Sequence, residues 1–263
     1  MMPARWNLWG ASRPEGLQPV NYRDYMHAVI LAGGKGIRLR PYTTRLPKPL
    51  VPIGEEHSVM EILLSQLAWS GFGRVTLAIG YLGELIRSYV GDGSRWGVQV
   101  DYGPPEEMPL GTIGPVLRLL DRLPEDFLVM NGDVLTDLDY SDLMRRHTET
   151  GSALTVATSQ RQERIDYGVL TTREGRVVQF VEKPTIDYRV SMGIYACSKR
   201  ALAGYTPGLP FGFDELVLDL LSQGTLPVEY AFDGYWFDIG RPDDYDRVNA
   251  QFGQIKGSLL REA

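Results

Sequence analysis

HAVILAGGKGIRLRPYTTRLPKPLVPIG, residues 27–54, is the stretch that decides the fold. Its apolar start, residues 28–32, predicts a buried strand. Three glycines follow at once, Gly33, Gly34 and Gly36, and without Cβ atoms they let a ligand approach the backbone closely. The stretch therefore predicts a strand that ends in a ligand-binding loop.

The same stretch reverses the charge of the chain locally. The protein has a formal net charge of -6, yet no Asp or Glu occurs between Asp24 and Glu55. Five cations lie in this window: Lys35, Arg38, Arg40, Arg45 and Lys48. A strand end, a glycine turn and clustered positive charges are typical of a site for a polyphosphate.

Two common glycine loops do not fit this stretch. A P-loop ends in Gly-Lys-Ser/Thr, whereas Lys35 is followed by Gly36 and Ile37. The dinucleotide fingerprint needs a glycine three residues after its second glycine, and Leu39 occupies that position. On the glycines alone, an ordinary tight turn is an equally good interpretation.

The longer pattern decides between these interpretations. Leu-Ala-Gly-Gly-x-Gly-x-Arg-Leu-x-Pro-x-Thr, followed by Pro-Lys-Pro-Leu-x-Pro-Ile between Leu31 and Ile53, resembles the signature of the sugar-1-phosphate nucleotidyltransferases. The resemblance covers residues 26–250 with its motifs in order. It implies an α/β fold, a Rossmann-like three-layer sandwich with a mostly parallel mixed central sheet and a small β-rich sugar-binding half.

Composition limits the remaining function classes. The chain has 263 residues, 43% of them hydrophobic and 23% charged, as in globular proteins. No apolar run is long enough for a bilayer and no signal-peptide segment occurs, so we expect a cytoplasmic protein without membrane partners. The acidic balance argues against nucleic acid as a partner. The single cysteine, Cys197, excludes an internal disulfide, and its apolar neighbours predict a buried thiol.

The hydrophobic pattern predicts alternating strands and helices in the first half, which is typical of a parallel sheet covered on both faces. A capping box at Ser58 and Glu61 opens the first helix, and further helices are predicted at 82–90 and 112–123. The predicted strands that follow the first helix are 74–79, 98–102 and 127–130. Ligands of such sheets lie beyond the carboxyl ends of the strands.

The second half predicts shorter strands, with a hairpin turn at Glu174-Gly175, a helix at 214–221 and a last helix that starts near Pro242. The predicted strands are 153–158, 168–172, 176–181, 191–197, 228–232 and 235–239. We divide the chain into an N-terminal extension (1–25), a nucleotide-binding half (26–135), a sugar-phosphate-binding half (136–250) and a peripheral tail (251–263). No further module is expected, and a homo-oligomer is left open.

Two carboxylates lie at the ends of predicted strands. Asn131-Gly132-Asp133 comes directly after strand 127–130, and Asp238 precedes Gly240 in Trp-Phe-Asp-Ile-Gly. Taken alone, Asn-Gly-Asp is more often a simple turn. Phosphate chemistry at a nucleoside triphosphate needs Mg²⁺, which takes one or two carboxylates, and the resemblance makes Asp133 and Asp238 that pair. Asp137 and Asp139 are expected to cap a helix or to be solvated.

The resemblance also assigns substrate contacts. Nucleotide binding falls to Leu31, Ala32, Gly33, Gly34, Gly36, Glu106, Gly111 and Thr112. Sugar-phosphate binding falls to Asn131, Tyr167, Gly168, Glu182, Lys183 and Ser191. Among these, Glu182-Lys183-Pro184 matches a family element in which the lysine holds the sugar phosphate, and a lysine before a proline is a positioned point charge. An exposed Glu-Lys pair is the alternative interpretation.

Base choice depends on Glu106. Thymidylyl- and uridylyl-type members tend to carry Gln three residues before the proline that is Pro109 here. A carboxylate offers only acceptors, and guanine presents two adjacent donors, so Glu106 favours GTP. The alternative is that Glu106 and Glu107 are solvated loop acids.

Sugar choice depends on Ser191. Guanylyltransferases for mannose-type sugars show Ile-Asn-Ala-Gly-Ile-Tyr where this chain has Val190-Ser191-Met-Gly-Ile-Tyr. Because Ser191 lacks that amide, the sequence does not favour mannose 1-phosphate as the substrate. The phosphate of glucose, a heptose or a cyclitol is an alternative. Ile37 also replaces the usual Thr of the glycine loop, which changes one side-chain contact.

The resulting hypothesis is a Mg²⁺-dependent nucleotidyltransferase, closest to the guanylyltransferase-like members, in which Arg38, Lys48 and Lys183 are catalytic. It converts a sugar 1-phosphate and an NTP into an NDP-sugar and pyrophosphate. Three alternatives remain: a thymidylyl- or uridylyltransferase acting on glucose 1-phosphate, a catalytically silent nucleotide-sugar sensor, and a glycosyltransferase with Asp137-Leu-Asp139 as its metal motif.

Overall fold

A computed structural model describes residues 26–105 and 108–260. Within these residues the strands are β1 (His27–Ala32), β2 (Pro52–Ile53), β3 (His57–Ser58), β4 (Arg74–Ile79), β5 (Gln99–Tyr102), β6 (Asp126–Asn131), β7 (Val134–Thr136), β8 (Leu154–Arg164), β9 (Gly168–Arg173), β10 (Arg176–Glu182), β11 (Thr185–Ser198), β12 (Val228–Phe232) and β13 (Trp236–Asp238). The α-helices are α1 (Val59–Trp69), α2 (Gly83–Val90), α3 (Gly114–Leu117), α4 (Tyr140–Thr150), α5 (Phe213–Ser222) and α6 (Pro242–Leu259).

A seven-stranded sheet forms the centre, in the order β12-β8-β11-β6-β1-β4-β5. Most neighbours are parallel, but β11 runs antiparallel to both β6 and β8. This confirms the predicted mostly parallel mixed sheet, and it confirms residues 191–197 as part of a central strand.

The sheet is buried on both faces, because alternate residues of its strands enter two different cores. In β1, Ala28 and Ile30 belong to one core and Val29 to the other. Helices α1, α2, α4 and α6 contribute to the first core, and α3 and α5 contribute to the second. The result is the predicted three-layer sandwich.

Helix α1 begins as predicted. The Ser58 N–H donates to Glu61 Oε2 at 2.9 Å, and the Glu61 N–H donates to Ser58 Oγ at 3.3 Å. This reciprocal capping box satisfies two of the N–H groups that a helix start leaves without partners.

The helix predicted at 112–123 is wrong. The structure has only the short α3 there, followed by a 3₁₀ turn at Leu120–Arg122. The N–H groups of Ile113 and Gly114 both donate to the Phe211 carbonyl, at 3.0 and 3.1 Å. A partner that is distant in sequence therefore sets where this helix starts.

Strands β8 and β11 are longer than the predicted 153–158 and 191–197. Their pairing continues out to Arg164 and Thr185, and it carries the β9–β10 hairpin. Glu174 and Gly175 form the hairpin turn, with φ of 51° and 75°, as predicted. We call residues 160–190 the arm. Most of its side chains are exposed, so no buried alternation marks its strands in the sequence.

The predicted domain end at residue 250 falls inside α6. Phe252, Ile255 and Leu259 of this helix are buried in the first core, so residues 251–259 belong to the domain and are not a peripheral tail. Residues 1–25 and 261–263 lie outside the described residues, and so do the predictions for them. The division into halves at residue 135 remains a prediction.

Cys197 is buried in β11 as predicted, and burial raises the pKa of its thiol to about 12. The thiol is therefore not a nucleophile at neutral pH. No helix in the described part of the chain is both long enough and apolar enough to cross a membrane.

Candidate active site

The glycine loop and the Asn131-Gly132-Asp133 turn meet because β1 and β6 are parallel neighbours. Leu31 pairs with Asn131, and the Gly132 N–H donates to the Leu31 carbonyl at 2.9 Å. A cavity of about 860 Å³ opens beyond these strand ends. The predicted site residues that line it are Leu31, Ala32, Gly33, Gly34, Gly36, Lys48, Gly111, Thr112, Asn131 and Asp133.

The glycine loop is held in shape from both sides. The Gly33 carbonyl accepts the Tyr81 N–H at 3.1 Å, and the Gly36 carbonyl accepts the Thr43 hydroxyl at 2.6 Å. Gly36 has φ of 59°, and a Cβ there would lie 2.9 Å from Thr43 Cγ2. A side chain at this position would therefore push the loop out of place, whereas Gly34 has open space beside it.

Lys48 lies between the two predicted metal ligands. Its ammonium contacts the Asp133 carboxylate and lies 3.9 Å from Asp238 Oδ1. The Lys48 side chain is only 11% exposed, so the arrangement is sheltered from water. Arg38 approaches from solvent, with its guanidinium 3.8 Å from Asp238 Oδ2. The structure thus brings together Arg38, Lys48, Asp133 and Asp238.

The donor set fits Mg²⁺. The Asp133 and Asp238 carboxylates both face the Lys48 ammonium. Among the described residues, no group of three or more His, Cys, Asp or Glu side chains is placed to bind a metal. Mg²⁺ is commonly bound by one or two carboxylates, substrate phosphates and waters, so a pair is sufficient. Asp133 and Asp238 are the residues that would hold it.

A second group of predicted residues lies at the base of the arm hairpin. Gly168 pairs with Glu182, and the Lys183 N–H donates to the Tyr167 carbonyl at 3.2 Å. Lys183 has φ of 47°, an unusual value for a residue with a Cβ, and its side chain is exposed. Among the described residues, no hydrogen bond or ion pair joins this group to Lys48.

Ser191 lies where β11 breaks its register with β8. Its hydroxyl donates to the Tyr195 hydroxyl at 3.1 Å and accepts the Gly193 N–H at 3.3 Å. Gly193 has φ of 74°, and the Asn131 side chain packs where its Cβ would be. Ser191 and Asn131 therefore flank one bulge in the sheet. Tyr195 stacks on Phe213 with ring centroids 3.7 Å apart.

Residues 110–112 are fixed by the segment before α5, a contact that the sequence did not predict. The Phe211 N–H donates to the Leu110 carbonyl at 2.9 Å, and the Phe213 N–H donates to Thr112 Oγ1 at 2.8 Å. Gly111 has φ of 76°, and a Cβ there would lie 2.6 Å from the Phe211 carbonyl oxygen. Glu106 and Glu107 lie outside the described residues.

Replacing Gly111 by alanine is expected to destabilise the protein more than replacing Gly97, which has φ of 75° and nothing within 4 Å of its Cβ position. Both variants carry the backbone cost of a left-handed alanine, about 1 kcal/mol. Gly111→Ala adds a clash with backbone, which costs roughly 1–3 kcal/mol more. Urea unfolding of both variants measures the difference, and equal losses would show that Phe211 does not fix this loop.

Comparison with known proteins identifies the family of this chain. The family model described as "Nucleotidyl transferase" matches residues 27–254. The chain belongs to the sugar-1-phosphate nucleotidyltransferase family. One member, the D-glycero-alpha-D-manno-heptose 1-phosphate guanylyltransferase of Aneurinibacillus thermoaerophilus, is 32% identical over an alignment of 231 residues, with 86% of this chain and 98% of that protein covered.

Other nucleotidyltransferases of the family are longer than the matched region. The UTP–glucose-1-phosphate uridylyltransferase of Synechocystis is 34% identical over an alignment of 257 residues, with 90% of this chain but only 64% of that protein covered. The Dictyostelium discoideum mannose-1-phosphate guanylyltransferase catalytic subunit beta is 30% identical, with 84% of this chain and 62% of that protein covered. The chain thus spans just under two thirds of these relatives.

Solved structures share the fold of this chain. HddC from Yersinia pseudotuberculosis superposes with a TM-score of 0.68 at 28% identity, covering 86% of this chain and 99% of that one. The same protein complexed with GMP-PN gives a TM-score of 0.66 at 27% identity, with the same coverage.

The side chains of Asp137 and Asp139 both accept hydrogen bonds from backbone N–H groups. Asp139 caps α4 and accepts the N–H groups of Ser141 and Asp142, as predicted. Asp137 accepts the Tyr235 N–H at 2.7 Å. Family membership and these contacts leave the glycosyltransferase alternative without support.

Proposed function

We propose that this chain transfers a guanylyl group from GTP to a sugar 1-phosphate, giving a GDP-sugar and pyrophosphate. The observation that carries this proposal is the sheltered Lys48 ammonium between Asp133 and Asp238, at the end of the glycine-loop cavity. This arrangement suits a triphosphate, because backbone, a fixed cation and two carboxylates are all available at one strand edge.

Positioning and charge account for the reaction, with no covalent enzyme intermediate. The sugar phosphate oxygen attacks the α-phosphorus in line, its new P–O bond forms as the bond to pyrophosphate breaks, and the electron pair leaves with pyrophosphate. Arg38 binds the departing β,γ-phosphates and Lys48 binds the α-phosphate. Lys183 holds the attacking phosphate. Mg²⁺, held by Asp133 and Asp238, would neutralise charge that develops on the phosphates.

Lys48 has a second role in this proposal. Two neighbouring carboxylates repel each other unless a cation lies between them, and the Lys48 ammonium lies between Asp133 and Asp238. The two carboxylates are thereby held in place before substrate arrives.

The guanine assignment depends on Glu106, and relatives support it without deciding it. The Aneurinibacillus protein is named a guanylyltransferase, and a structural neighbour is described with GMP-PN, but the Synechocystis protein is named a uridylyltransferase at similar identity. UTP or dTTP with glucose 1-phosphate is therefore the second candidate reaction.

Replacing Glu106 by glutamine is expected to lower kcat/KM for GTP by about 10–100-fold, the value of a hydrogen bond to a charged group. The amide presents one donor where guanine needs a second acceptor. Turnover with UTP or dTTP should not fall. Glu107→Gln is the matched control, and an equal loss in both variants, or none in Glu106→Gln, would remove Glu106 from base selection.

The test of the function is a matrix of reactions scored by pyrophosphate release with Mg²⁺. GTP, dTTP, UTP, ATP and CTP are each paired with mannose, glucose, galactose and heptose 1-phosphates. We expect pyrophosphate release with GTP. The sugar 1-phosphate that gives the highest turnover identifies the sugar that the site with Ser191 accepts. Release with UTP or dTTP alone would keep the reaction and contradict the base assignment, and nucleotide binding with silence throughout would indicate a sensor.

A further inference from the structure

Asp244 is a buried acid directly behind the candidate metal site. It lies in the first turn of α6, is only 6% exposed, and was not singled out by any motif. Its Oδ2 accepts the backbone N–H of Asp238 at 3.2 Å. Asp238 in turn uses Oδ1 to accept the Gly240 N–H at 2.9 Å. The backbone and the side chain of Asp238 are thus both held.

Two arginines neutralise this buried carboxylate. Arg247 approaches Asp244 Oδ1 at 2.8 Å, and Arg161 approaches Oδ2 at 3.5 Å. A buried charge is costly unless it is paired and hydrogen-bonded, and even then an apolar replacement is often as stable. Fold stability alone therefore explains poorly why a charge occupies this position.

Arg161 connects the group to the arm. It belongs to β8, and its guanidinium lies 4.5 Å from the ring centroid of Trp236, two residues before Asp238. The Trp236 indole N–H donates to the Met192 carbonyl in β11 at 3.1 Å. The segment that carries Asp238 is therefore anchored to β8 and β11, the two long strands that continue into the arm, whose hairpin presents Lys183.

We propose that Asp244 is a positioning residue, which together with Arg161 fixes Asp238 in the orientation that binds a divalent cation with Asp133. The inference rests on the proposed function, because it assumes that Asp133 and Asp238 hold the cation. It also links the arm to the metal site, since Arg161 of the arm contacts both Asp244 and Trp236.

The neighbouring acid provides a matched control. Asp243 lies in the same helical turn, carries the same charge and is exposed. An acid in the first turn favours the helix through its dipole, so both Asp243→Asn and Asp244→Asn lose that general contribution. Only Asp244→Asn removes the charge beside Asp238.

The experiment measures Mn²⁺ binding by electron paramagnetic resonance in the presence of a nonhydrolysable analogue of the best nucleotide. We expect Asp244→Asn to raise the Kd for Mn²⁺ by about 10–100-fold, the effect typical of partners that orient metal ligands. Nucleotide affinity in EDTA and the Mn²⁺ Kd of Asp243→Asn should stay at the wild-type values. Arg161→Met should raise the Mn²⁺ Kd as well, and its effect should not add to that of Asp244→Asn.

Each contrary result has a distinct meaning. A wild-type Mn²⁺ Kd in folded Asp244→Asn, or an equal loss in Asp243→Asn, would overturn the positioning role and leave the proposed function intact. A wild-type protein that neither binds Mn²⁺ nor releases pyrophosphate would overturn both. Should Asp244→Asn fail to fold, Arg161→Met carries the test, and an unchanged Mn²⁺ Kd in that variant contradicts the inference.

Discussion

Replacing Arg38 by alanine will lower kcat for pyrophosphate release by about 10²–10³-fold, as the loss of one preorganised charge at a transition state does. The fold should be unaffected, because the Arg38 side chain is 66% exposed and its described charge contact is Asp238 at 3.8 Å. Substitutions at such exposed positions change the free energy of unfolding by roughly 0.5 kcal/mol or less. Steady-state kinetics and a thermal melt of the same preparation measure both quantities.

Arg122→Ala is the control for this variant. Arg122 is also exposed, but it precedes β6 at the opposite end of the sheet from the cavity. It should keep wild-type kinetics and stability. Near-normal turnover in Arg38→Ala would remove Arg38 from the mechanism.

Replacing Lys48 by methionine is expected to lower kcat at least as far, by about 10²–10³-fold or more. Methionine is also a long side chain but carries no charge, so the α-phosphate loses its cation. The Asp133 and Asp238 carboxylates also lose the charge between them, and the metal-free protein should lose roughly 1–3 kcal/mol of unfolding free energy. Because a divalent cation can replace the ammonium, Mg²⁺ should raise the melting temperature of this variant more than that of the wild type.

Lys256→Met makes the same chemical change on the exposed face of α6, where Lys256 pairs with Glu56 at 3.4 Å. It should leave kcat and the response to Mg²⁺ unchanged. A Lys48→Met enzyme with wild-type kcat, or one whose melting temperature does not respond to Mg²⁺, would contradict the role given to this cluster.

The fold was predictable where local pattern and burial agree. Strand β1 is a continuous apolar run, and Ser58 and Glu61 have the spacing of the capping box that begins α1. The helix predicted at 112–123 failed because its start depends on the Phe211 carbonyl, about a hundred residues away. The spacing of Phe252, Ile255 and Leu259 is helical and indicates that α6 continues beyond residue 250. The domain end was wrong because it was taken from the end of the family resemblance.

The candidate site was only partly predictable for the same reason. Asp133 follows β6 of the central sheet, but Asp238 ends β13, which pairs with β7 outside that sheet. Each carboxylate could be expected from its strand, whereas their meeting at Lys48 could not. Asp244 could not be distinguished from Asp243 in the sequence, because both are acids in the first turn of a helix. Only the packing of α6 against β13 separates the buried acid from the exposed one.

A label on the α-phosphate of GTP tests directly whether this protein transfers a guanylyl group to a sugar 1-phosphate. We expect the label to appear in a GDP-sugar in a one-to-one ratio with released pyrophosphate. In a second reaction, labelled pyrophosphate should not exchange into GTP unless a sugar 1-phosphate is present, since transfer is direct. Exchange of labelled pyrophosphate into GTP without any acceptor would contradict direct transfer. If GTP binds but no nucleotide yields a labelled sugar nucleotide with any acceptor, catalysis at this site would be contradicted.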